Sequence, residues 1–155
     1  MKSFKKYLDE DYYTGLAKST RARRAAQFNR QASKDDDDPS AYKPAPGDAS
    51  AETVPSKYTK AYAAKYGKES VDFDQYQTLD EEAQLAGLKT KSEKSGIAYG
   101  ILKQVFDRGM AAWKTGHRPG AGQFQWAYAR VNSFIVGGKT RTTGDADLWA
   151  KHKKG

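Results

Sequence analysis

"GIAYGILKQVFDRGMAAWKTGHRPGAGQFQWAYARVNSFIVGG", residues 96–138, holds two apolar stripes at helical spacing, one on each side of a break. Before the break, Ile97, Ile101 and Val105 recur every four residues, and Leu102, Phe106 and Trp113 fill the adjoining part of that face. This is the period of an amphipathic helix packed on one side, with Gly100 and Gly109 as its weak points. The break, "TGHRPG" at 115–120, combines two glycines with a proline, which ends a helix by removing an amide donor. Beyond it, Phe124, Tyr128, Val131 and Ile135 form a second stripe, flanked by Trp126, Arg130 and Phe134, and Gly137 and Gly138 supply a stop. "DADLWAKHKKG", residues 145–155, suits a final turn or two of helix carrying Leu148 and Trp149. The expected fold class is mainly α: a small C-terminal helical hairpin module with short N-terminal helices and long extended linkers. "VNSFIVGG", residues 131–138, is the one run that would also suit a strand.

Upstream of the module the chain is more polar. Phe4, Tyr7, Leu8, Tyr12 and Leu16 make a short amphipathic stripe, and "TRARRAAQFNRQA" reads as a second helix that Ser19 or Thr20 could cap. Residues 1–32 are thus expected to be a basic helical arm. Residues 33–57 carry four consecutive aspartates and four prolines among small polar residues, so they read as an extended linker with little to bury. Residues 58–87 read as a short helical connector. Tyr58, Tyr62 and Tyr66 line one face of a helix that Ser56 can cap and Gly67 can end, and Thr78 with Glu81 fits a capping box. Residues 88–155 form the helical module and its basic tail.

Only 37% of the residues are hydrophobic, so a small core with extended arms is expected over a large one. No run approaches the length of a membrane span, and the N-terminus lacks the apolar stretch of a signal peptide. With no cysteine, disulfides, thiolate metal sites and cysteine nucleophiles are excluded. The net charge of +8 is distributed unevenly: residues 1–34 carry nine basic and three acidic side chains, 35–94 eight and thirteen, and 95–155 ten and three. Basic ends of this kind suit polyanions or acidic protein surfaces. The candidate nucleic-acid contacts are Arg21, Arg23, Arg24 and Arg30 near one end, and Lys139, Arg141, Lys151, Lys153 and Lys154 near the other. The pattern offers phosphate contact without a base-reading motif.

Catalysis finds little support. His117 could serve as a general base, but its best partners from residue 95 onward are Asp107, Asp145 and Asp147, and Ser133 lies in no nucleophile elbow. "GGKT" at 137–140 ends like a phosphate-binding loop, yet Ser133 stands where the first glycine belongs. The aspartate run 35–38 lacks the spaced ligands of a calcium loop, so no metal and no cofactor is expected. The bland reading of His117 and Arg118 is that they cap helix carbonyls and brace the turn against Trp113 or Trp126. Protein-interface candidates are Tyr58, Tyr62, Tyr66, Trp113, His117, Arg118, Trp126, Arg130 and Trp149, because aromatic and arginine side chains dominate binding surfaces.

Ser95 through Phe134, with "SGIAYGILK", "RGMAAWKTGHRPG" and "QWAYARVNSF", resembles an uncharacterised family of small tailed-bacteriophage proteins, known especially from marine and cyanobacterial phages. The likeness is clearest over 94–138, and the basic and Pro-Gly segments of 18–67 are similar in kind; "GAGQF" at 120–124 departs from a threonine- or proline-rich helix start. The resemblance carries no enzymatic role. It implies a virion structural component that clamps neighbouring capsid, portal or tail proteins, present in multiple copies of a symmetric assembly. The alternative it implies is an internal protein whose basic ends meet the phage genome. Either would place the chain in the virion, and in the host cytoplasm before assembly, with no membrane partner.

Overall fold

The structure, a computed structural model, describes residues 16–51, 55–67 and 81–154. Among these the fold is mainly α, with six α-helices and no strand. They are α1 (Lys18–Ala32), α2 (Lys57–Tyr66), α3 (Glu81–Ser95), α4 (Tyr99–Ala112), α5 (Gln123–Val136) and α6 (Ala146–Lys154), with 3-10 turns at Pro39–Tyr42, Trp113–Thr115 and Lys139–Thr142. The 131–136 run is helical, inside α5. The stripe from Phe4 to Tyr12 and the Thr78 capping box lie outside the described residues.

The chain divides into two compact units. The described residues of one are 16–51 and 111–121; those of the other are 55–67, 81–110 and 122–154. The larger unit contains the helical hairpin. Ile101, Leu102, Val105 and Phe106 of α4 and Ala127, Tyr128, Val131, Phe134 and Ile135 of α5 are buried in one apolar cluster with Tyr62, Leu88 and Leu148. The Phe106 and Tyr128 rings meet edge to face at 5.0 Å. Glycine at 109 allows the two helices this approach, because a Cβ there would lie 2.7 Å from the Ala127 Cα. Alanine gains about 1 kcal/mol over glycine in an isolated helix. Here that gain is outweighed by a backbone clash, which costs about 1–3 kcal/mol or more. Gly109→Ala is therefore expected to lower the chemical-denaturation midpoint, and an unchanged or raised midpoint would show that α4 and α5 are not held this closely.

Caps define the helix ends. Ser56 Oγ accepts from the Thr59 amide at 3.1 Å to open α2, and Gly67 closes it, donating to the Ala63 carbonyl. Gly137 ends α5 in the left-handed conformation at φ +86°. In the "GAGQF" stretch α5 begins at Gln123, where Gln125 Oε1 accepts from the Gly122 amide at 2.9 Å. Neither Ser19 nor Thr20 caps α1: that helix starts at Lys18 after Ala17, without a side-chain cap.

In the smaller unit, residues expected to be an extended linker are folded. Asp38 accepts from the Ser40 amide and hydroxyl and opens the Pro39–Tyr42 turn. Ala41 and Ala45 are buried, and the Tyr42 ring stacks on Trp113. Composition underestimates this segment because small alanines bury little area of their own, and its order comes from polar contacts with residues about 70 positions away in sequence. Trp113, read as part of the hairpin core, belongs to this unit instead.

Candidate functional site

The most concentrated chemistry in the described residues is a buried charge centre in the smaller unit. Arg24, Phe28 and Gln31 form the inward stripe of α1 at i, i+4, i+7. Arg24 is 1% exposed, and its guanidinium donates to Asp48 Oδ1 at 2.6 Å, to the Pro46 carbonyl at 2.9 Å and to the His117 carbonyl at 2.6 Å. His117 is fully buried: its ring lies parallel to the Trp113 indole at 3.9 Å, and Phe28 meets it edge-on. Its Nδ1 contacts the Trp113 carbonyl at 2.9 Å, and its Nε2 contacts Asp48 Oδ2 at 2.7 Å. Both ring nitrogens of His117 therefore have a partner within their own chain. Asp48 Oδ2 also accepts the Ala45 amide at 2.8 Å. One carboxylate thus joins a buried guanidinium and a buried imidazole.

A second ion pair extends the centre. Lys114, 5% exposed, pairs with Asp36 and donates to the Lys34 carbonyl, while Gln31 donates to the Lys114 carbonyl. The aspartate run therefore finds a basic partner within its own chain. Among the described residues no group of three His, Asp or Glu converges as metal ligands.

The larger unit has its own polar centre. Asp145, fully buried, accepts from Arg130 Nε and Nη2 at 2.8 and 2.9 Å, from Thr140 Oγ1 at 2.5 Å and from Arg108 at 3.3 Å. Arg108 also grips Asp147 with two bonds of 2.8 Å, and its guanidinium holds that exposed carboxyl down at about 2. Lys91, buried on the Leu88 stripe of α3, donates to Asn132 Oδ1 at 2.7 Å and lies 3.7 Å from the Tyr62 ring centroid. Asn132 in turn donates to Thr59 Oγ1.

Residues 9–149 match a family described as a family of unknown function, DUF5824. The chain belongs to that family. No curated protein and no solved structure matches it.

In this DUF5824 protein the sequence-derived candidates fall into distinct places. His117 braces the turn against Trp113, and with Trp113 and Tyr62 it is buried, so these three are not presented as interface residues. Tyr58, Tyr66, Arg118, Trp126, Arg130 and Trp149 are half-buried. Arg24 is turned inwards and is removed from the nucleic-acid set by the Asp48 pairing. Arg141 is largely engaged as well: it donates to the Phe134 and Ile135 carbonyls at the end of α5 and stacks on Trp149 at 3.6 Å. Arg21, Arg23, Arg30, Lys139, Lys151, Lys153 and Lys154 are exposed. Sequence reading missed Asp48, Lys91 and Asn132. Lys91 was detectable, being three residues after Leu88 on an apolar stripe; Asp48 was not, since nothing local marks it.

Burial raises the Asp48 carboxyl, but the hydrogen bond and charge of His117, the Ala45 amide and Arg24 outweigh it, and the net shift is downward from 3.8. A carboxyl lowered on folding contributes stability that is full above its unfolded value and is lost as pH falls through the folded one. Amide-exchange protection along α1 is therefore expected to hold at neutral pH and to decline below about pH 4. Protection unchanged on acidification would show that Asp48 does not carry this unit.

Proposed function

We propose that this DUF5824 protein is a structural component of a tailed-phage particle, which acts by holding neighbouring capsid, portal or tail proteins and not by catalysis. The observation that carries the reading is the state of His117. The residue best suited to proton transfer is fully buried, and both of its nitrogens are bound to groups of its own chain. A general base must reach a substrate proton with a free nitrogen. Arg108 and Arg130 of the family-like segment likewise pair within their own chain, with Asp147 and Asp145. What is offered outward is surface: charged faces of α1, α2 and α6 carried by small folded units.

The likeness of Ser95–Phe134 to small phage proteins supplies the setting. The chain belongs in the virion, and in the host cytoplasm before assembly, with other virion proteins as partners in a repeated arrangement. Mass spectrometry of purified, salt-washed particles tests this. The chain is expected at a fixed ratio to the portal or major capsid protein; its absence from intact particles would end the proposal.

A further inference from the structure

The outward face of α1 is built differently from its inward face. Arg24, Phe28 and Gln31 point inwards and hold the helix, whereas Lys18, Arg21, Arg23 and Arg30 are exposed. Helical spacing puts Ala22, Ala26 and Asn29 along the ridge opposite the buried stripe, with Ala25 beside it, and all four are exposed. Arg23 and Arg30 flank the ridge on one side and Lys18 stands at its start on the other, while Arg21 lies nearer the buried stripe. The helix contains no acidic residue. At 1.5 Å per residue the basic positions span roughly 18 Å.

We propose that this face docks on duplex nucleic acid through its phosphates, without reading base sequence. Three features select that partner. A low alanine ridge lets a helix approach a groove about 12 Å wide. Long cationic side chains, Arg23 and Arg30 on one flank and Lys18 on the other, then reach phosphates on either side of it. On the ridge, the exposed side chains able to pair with a base edge are Ser19 and Asn29, too little for specific readout. Rigid anchoring by Arg24 and Phe28 fixes the face before binding, so ordering the helix adds no cost at the encounter. The proposal stands apart from the virion reading: particles lacking the chain would overturn that reading and leave this one intact.

The test is anisotropy of a labelled random duplex of about 20 base pairs with the full chain, across roughly 50 to 200 mM salt. The expected result is binding that weakens steeply with salt. The variant Lys18→Gln/Arg23→Gln/Arg30→Gln removes three exposed charges and leaves the Asp48 centre intact. It is expected to bind about 30-fold or more weakly at low salt and to lose about 2.7 from the log–log salt slope. The variant Lys151→Gln/Lys153→Gln/Lys154→Gln on α6 is expected to keep the wild-type slope. Absence of binding at low salt would overturn the proposal, as would an unchanged slope in the α1 variant. Equal affinity for polyglutamate would also overturn it, by assigning the face to an acidic protein.

Discussion

Asp48→Ala is expected to destabilise the smaller unit by about 3–5 kcal/mol, the range for removing one partner from a buried ion pair. Arg24 and His117 are 1% and 0% exposed, so a buried guanidinium and a buried imidazole would be left in the interior without their carboxylate. The Ala45 amide would lose its acceptor as well. Hydrogen exchange along Lys18–Ala32 reads the effect directly, because Arg24 and Phe28 fasten that helix. Exchange there should accelerate by two orders of magnitude or more, since about 1.4 kcal/mol is a factor of ten. Asp37→Ala is the control: Asp37 is exposed, and its loss should stay within about 0.5 kcal/mol. Equal effects of the two variants would mean that the buried centre is not what holds α1.

Asp145→Ala is expected to cost the larger unit about 3 kcal/mol. Its carboxylate is fully buried and collects donors from α4, α5 and the Lys139–Thr142 turn, at the entry to α6. The cost is set somewhat below that of Asp48→Ala because Arg130 keeps 21% side-chain exposure, so water can solvate part of the abandoned charge. Arg108 retains Asp147. Arg130→Lys tests the geometry separately. An ammonium cannot form the two parallel bonds to one carboxylate, and a loss of about 1–2 kcal/mol is expected in urea unfolding. If Arg130→Lys proved neutral, the forked contact would contribute nothing beyond its charge.

These centres mark where sequence reading stopped. The helices α2, α4 and α5 were legible because their apolar residues repeat at helical spacing and their ends carry Ser56, Gly67 and Gly137, all local signals. The bracing role of His117 against Trp113 was legible for the same reason, since the two are four residues apart. Its pairing with Asp48 was not: the partner lies 69 residues away, in a segment whose composition reads as linker. Arg24 failed in the opposite direction. In sequence it is one arginine among four, and only its position on the Phe28 face separates it from those that reach solvent.

The sequence by itself determined the helical class, the hairpin with its glycine and proline break, the excess of positive charge near both ends and the absence of cysteine chemistry. Tertiary structure alone decided which charges are buried and joined, that residues 33–51 fold instead of linking, and that α1 turns Arg24 inward while leaving Arg21, Arg23 and Arg30 exposed. The reason is physical. Periodicity and capping act over a few residues and leave a trace in the order of the chain, whereas a buried ion pair depends on two distant residues meeting, and neither carries a local mark of the other.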